Sequence, residues 1–139
     1  MGVPLLWRVL LGLQADGSTS EQTLAMARYA DAHAAAVAGR ILLVDIRRPD
    51  EWGRTGIGAG AVPLDMRRSD FTDALLVETK GRRDAPVALS CARGGRSSRL
   101  SARLSAAGFT NIIDVPEGML GSGAGPGWIK TGLPVVAFN

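Results

Sequence analysis

Residues 87–98 read Val87-Ala88-Leu89-Ser90-Cys91-Ala92-Arg93-Gly94-Gly95-Arg96-Ser97-Ser98, and this stretch decides the fold. The apolar run from Pro86 to Ser90 predicts a buried strand. Two glycines then punctuate a loop. From Ser97 the spacing of Leu100, Leu104 and Ala107 predicts a helix with one apolar side, and Gly108 fits the position just past its end. Strand, loop and helix in that order form the repeating unit of an α/β protein with a parallel sheet. Cys91 stands at the start of the loop and is the single cysteine of the chain.

The same alternation continues on both sides. Ile41-Leu42-Leu43-Val44 is a continuous apolar run, as expected of a strand covered on both faces. Before it, Ser18 and Glu21 offer a capping box for an Ala-rich helix running to about Val37, with Gly39 ending it. After it, Pro49 suits a first helical turn and Asp50 and Glu51 follow. Thr55 to Ala61 is a glycine-punctuated loop. Ala61-Val62-Pro63-Leu64 predicts a short strand that Pro63 confines to an edge. Ser69 can cap a helix carrying Phe71, Leu75 and Leu76, ended by Gly81. Ile112 to Val115 predicts another strand. The glycine-rich tail before Trp128 predicts loop with one helical turn. Strands and helices alternate, so the fold class is α/β with a largely parallel sheet.

With 139 residues the chain makes one domain with a proper core. We divide it into an N-terminal extension, 1–17, and a domain, 18–139. The apolar stretch of the extension covers only about eleven residues and is too short to span a bilayer. Leu5, Leu6, Val9, Leu10 and Leu13 share one helical face, so the extension reads as a docked terminal helix or a tail. One thiol excludes a cysteine-based zinc site, a CxxC pair and an internal resolving cysteine. An unpaired thiol suits a reducing compartment, so the cytoplasm is the expected location. The net charge is +3 and its carriers are arginines, with Lys80 and Lys130 the only lysines. Without a lysine cluster, a binding motif or many aromatics, nucleic acid is not an expected partner.

Cys91 can be more than packing. A thiol must ionise to act as a nucleophile, and a helix N-terminus and nearby cations both favour the thiolate. This loop offers both, the cations being Arg93 and Arg96. Gly94 and Gly95 permit positive φ, so that successive N–H groups can turn inward as an anion nest. Ser97 can cap the helix or donate its hydroxyl. The alternative is an inert buried thiol, and the flanking Arg-Gly-Gly-Arg weighs against it. Four residues separate Cys91 from Arg96. Cysteine phosphatases resemble one another in a gap of five. The shorter loop suits a single sulfur better than a tetrahedral phosphate.

Taken together, the chain resembles the single-domain rhodanese (sulfurtransferase) family. The resemblance runs from about Ser18 to Val136. Its parts are LLVDIRRPDEW at 42–52, the glycine segment ending at Gly60-Ala61, CARGGRSSRLSARLSAAGF at 91–109, NIIDVPEGM at 111–119 and GPGW at 125–128. It implies about five mostly parallel strands with helices on both sides. It implies catalysis by Cys91, whose thiolate takes sulfane sulfur from a small anionic donor such as thiosulfate and passes it as a persulfide to cyanide, a thiol or a protein. Ala92, Arg93, Gly94, Gly95, Arg96 and Ser97 would then bind substrate. The N–H groups of 92–96 would stabilise the persulfide, and Arg93 and Arg96 would hold the donor. No metal or organic cofactor is implied.

Asp45 and Arg47 match the family's Asp-x-Arg and are expected as a supporting, buried pair. Glu51 and Trp52 are expected as scaffold, and Trp128 as packing beneath the active loop. Where many relatives carry a histidine, this chain has Ile57. His33 is the only histidine and lies far from the loop in sequence. Two other functions compete with the first: a sulfur-relay or binding module with little thiosulfate turnover, and a phosphatase or arsenate reductase, for which the loop is one residue short.

Overall fold

The computed structural model describes residues 28–139. The Ser18 cap, the apolar face at 5–13 and the 17/18 division lie outside the described residues. The elements follow in order: α1 (Tyr29–Val37), β1 (Leu42–Asp45), α2 (Pro49–Thr55), β2 (Ile57–Gly58), β3 (Ala61–Pro63), α3 (Phe71–Glu78), β4 (Val87–Ser90), α4 (Gly95–Ala106), β5 (Ile112–Asp114), α5 (Gly127–Thr131) and β6 (Val135–Val136). Four strands pair in parallel in the order β3-β1-β4-β5. Pro63 lies on an edge strand, where its missing N–H costs no ladder bond.

β1 and β4 occupy the centre, and successive residues point to opposite faces. Leu43 and Ala88 face one cluster, which α1 and α5 close with Tyr29, Ala32 and Trp128. Val44, Leu89 and Cys91 face the other, which α3 and α4 close with Leu75, Leu100 and Leu104. Each fully buried Leu or Val stabilises the fold by roughly 1.5–3 kcal/mol. The helices lie on both sides of the sheet, as expected.

Three details differ from the sequence expectation. Among the described residues the parallel sheet has four strands, against about five expected for the chain. Gly56, at φ +77°, redirects the chain after α2, and β2 pairs antiparallel with β6 as a separate ribbon. β6 was hidden in the tail because two exposed valines carry no periodic signal. Finally, α4 begins at Gly95, not Ser97. Gly94 makes the reversal at φ +92°, while Gly95 is already helical.

Candidate active site

β1 and β4 end side by side, with Asp45 opposite Ser90. Cys91 is the first residue past β4 and is only 1% exposed. Its carbonyl accepts the Met119 N–H at 2.8 Å, and the Ala92 carbonyl accepts that of Leu120 at 3.0 Å. The turn after β5 therefore backs the loop. The approach is close enough to require glycine on both sides: a Cβ on Gly118 would run into the Ala92 carbonyl, and one on Gly94 into that of Pro116. Both glycines also have positive φ.

This backing aims the loop at the sulfur. The Gly94 N–H donates to Sγ at 3.1 Å. The Cys91 thiol donates to Ser97 Oγ at 3.5 Å, and the Ser97 hydroxyl donates to the Gly94 carbonyl at 3.1 Å. Ser97 is the third residue of α4 and fully buried. The N–H groups of Gly95, Arg96 and Ser97 find no acceptor within the helix, and no other acceptor engages them among the described residues. The site is thus a short cradle of backbone donors at a positive helix end.

Its charged side chains are arranged differently. Arg96, expected to bind the donor, forks onto Glu51, with Nη1 and Nη2 each 2.7 Å from a carboxylate oxygen. That fork, aided by the Arg48 N–H, holds the Glu51 carboxyl down at about 2. Arg93 is exposed and has no ion-pair partner among the described residues. Asp45 and Arg47 form the expected buried pair. Arg47 donates to both Asp45 oxygens at 2.9–3.2 Å and to the Gly56 carbonyl at 3.1 Å. Both side chains are 1% exposed, so they brace the end of β1 and the start of β2.

Other residues escaped the sequence reading. The Tyr29 hydroxyl hydrogen-bonds that of Ser90, the residue before Cys91. Burial pushes the Tyr29 phenol far up, so it stays neutral. Its backbone N–H reaches buried Glu117 at 3.3 Å. Asp114, opposite Leu89 on β5, is buried with one oxygen unpartnered; burial raises its carboxyl, and Ser97 partly offsets this. Only the Pro-Glu-Gly of 116–118 hinted at this wall, as a turn signal.

One expectation needs correction. Trp128 is buried, but on the sheet face opposite Cys91, edge-on to Tyr29 and His33. Its indole N–H donates to the Pro134 carbonyl at 2.9 Å, and its links to the loop are indirect, through Met119 in the same cluster and through Tyr29. The placement of the indole on the α1 face is one that sequence spacing does not reveal. His33 bonds the Ala59 carbonyl through Nδ1 at 3.1 Å and forms no dyad with Cys91. Ile57, at the departure from the family pattern, is buried in β2.

Beside the loop a cleft of about 290 Å³ opens at the ends of β1 and β3. Ile46 and Met66 line it with Arg67, Arg96, Arg99 and Arg103. Cys91 does not line it, but its core neighbour Ile46 and its loop partner Arg96 do. Among the described residues, no three His, Cys, Asp or Glu side chains are grouped to hold a metal. No helix among them is long and apolar enough to cross a membrane.

Comparison with known proteins places this architecture. The polysulfide-sulfur transferase homodimer of Wolinella succinogenes shares the fold with a TM-score of 0.62 and 20% identity, over 96% of this chain and 89% of that one. The Rhodanese_3 like domain of the Alr3790 protein from Anabaena sp. has a TM-score of 0.56 and 18% identity, over 71% and 94%. A variant of EanB in complex with ergothioneine has a TM-score of 0.62 and 14% identity, over 81% of this chain and 28% of that one. At these identities the likeness is one of fold. No curated protein matches the sequence. The sequence pattern of the rhodanese-like domain matches residues 28–122, which include β1 to β5 and the whole Cys91 loop. On that match the chain belongs to the rhodanese-like domain family.

Proposed function

We propose that the protein is a sulfurtransferase that carries sulfane sulfur as a persulfide on Cys91. The observation that carries this reading is the Gly94 N–H held 3.1 Å from Sγ, with the unengaged first-turn N–H groups of α4 beside it. A hydrogen bond to a charged group contributes about 1.5–3 kcal/mol. Such a cradle therefore matches the negative charge of the persulfide anion that the reaction leaves on Cys91. The Cys91 thiolate attacks the outer sulfur of thiosulfate. The Sγ–S bond forms as the donor's S–S bond breaks, and sulfite leaves with that electron pair. An acceptor nucleophile then takes the outer sulfur, and Cys91 returns as thiolate. Ala92 to Ser97 form the binding loop in this reading, and Asp45 and Arg47 support it from β1.

The test is intact mass after incubation with thiosulfate. One added sulfur is expected, absent in Cys91→Ala. No adduct, together with hydrolysis of p-nitrophenyl phosphate, would overturn the reading in favour of a phosphatase. Persulfide with negligible thiocyanate from cyanide would restrict the protein to sulfur relay.

A further inference from the structure

α4 carries Arg96, Arg99 and Arg103 at spacings of three and four, which places them on one helical face. All three line the cleft. Their charges are not equally matched. Glu51 neutralises Arg96, and Asp65 holds Arg67 at 2.7 Å. Arg48 lies 3.0 Å from Asp50. Arg99 and Arg103 are exposed and have no ion-pair partner among the described residues. The cleft thus carries two unbalanced guanidinium groups, while Ile46 and Met66 supply its apolar lining.

We propose that Arg99 and Arg103 form a second anion subsite, which selects a small thiol acceptor whose tail bears a carboxylate or phosphate group. This rests on the persulfide reading of Cys91. Guanidinium forks match both oxyanions in geometry and charge. The helical rise sets Arg99 and Arg103 roughly 4.5 and 10.5 Å beyond Arg96 along the axis. A compact donor such as thiosulfate cannot bridge that distance from the loop, but a thiol with a several-atom chain can. The chain would lie on Ile46 and Met66, and the volume suits a small molecule rather than a protein segment. In the transfer, the acceptor thiol hands its proton to the outer sulfur of the Cys91 persulfide anion, and the acceptor thiolate then attacks that sulfur. The new S–S bond forms as the Sγ–S bond breaks. Sγ leaves as thiolate, and the outer sulfur keeps its proton in the product persulfide.

The experiment loads Cys91 with thiosulfate and then measures transfer to matched acceptors. Mercaptosuccinate is compared with thioglycerol for carboxylate, and 4′-phosphopantetheine with pantetheine for phosphate. In the wild type at least one anionic acceptor should show a KM about tenfold below its neutral counterpart. Whichever pair shows this identifies the oxyanion. In Arg99→Gln/Arg103→Gln that ratio should collapse toward one. The charge-matched control Arg40→Gln/Lys130→Gln, at two exposed residues that do not line the cleft, should retain it. Thermal melting confirms that each variant is folded. Equal KM values within both pairs, or a ratio unchanged in the double variant, would overturn the subsite. So would loss of thiosulfate loading in the double variant, which would assign the arginines to the donor. Failure of the wild type to load any sulfur is a different result and sinks the persulfide reading itself.

Discussion

The exits of β1 and β4 lie side by side in register, yet they are built from opposite materials. β4 leaves through Cys91 into a loop whose working parts are backbone groups: the Gly94 N–H on Sγ and the Met119 and Leu120 N–H groups on the loop carbonyls. β1 leaves through charged side chains: Asp45 paired with Arg47 and, one turn on, Glu51 paired with Arg96. The difference assigns the tasks. Backbone donors present a fixed field at the sulfur and cannot swing away. Side-chain charge is matched by opposite charge and serves mainly to hold the loop in place. Unmatched cations lie further along α4, at Arg99 and Arg103, where a substrate tail rather than the sulfur would meet them.

The sharpest way to break this contrast is Arg47→Ala. It strands the Asp45 carboxylate at 1% exposure, and removing one partner of such a buried pair costs about 3–5 kcal/mol. Urea unfolding measures this; a loss below about 1 kcal/mol would show that β1's exit is not held by charge. Gly118→Ala attacks the other exit. The new Cβ meets the Ala92 carbonyl at a φ of +76°, a strain of roughly 1–3 kcal/mol. Displacing the loop by even 1 Å should slow sulfur loading on Cys91 by about 10- to 100-fold. Retention of full loading speed would mean that the cradle does not depend on its wall.

Glu51→Gln is the gentlest and joins the two exits. It releases Arg96, which is 24% exposed and so remains hydrated, at a cost of about 1–2 kcal/mol. The freed guanidinium should lower the KM for thiosulfate about two- to fivefold, read from initial rates. The acid behaviour follows from the same pair. The folded-state carboxyl lies near 2, below its ordinary 4.5, so its stabilisation is complete above about 4.5 and is lost as the pH falls toward 2. Wild-type stability should therefore drop through that window more steeply than the variant's. Parallel curves would show that the ion pair contributes nothing.

The legible parts of the sequence were those with a local cause. Continuous apolar runs located β1, β4 and β5, because strands buried on both faces have no polar side to show. Gly39, Gly81 and Gly108 marked chain reversals, and each has positive φ. The start of α4 was misplaced by two residues because Gly94 and Gly95 look alike in sequence, while only Gly94 makes the reversal. The second wall of the site was not legible. Tyr29, Asp114 and Gly118 lie at 62, 23 and 27 positions from Cys91, and only strand order brings them to it.

By itself, then, the sequence determined the α/β alternation, the place of Cys91 at a strand–helix junction and the short gap to Arg96, because spacing and local propensity act within a few residues. The tertiary structure alone decided which arginine stands free. Arg93, Arg96, Arg99 and Arg103 are equivalent in one dimension. Pairing β1 beside β4 delivers Glu51 to Arg96 and leaves Arg99 and Arg103 facing the cleft. A charge's meaning depends on its nearest opposite charge, and that neighbour comes from 45 residues away.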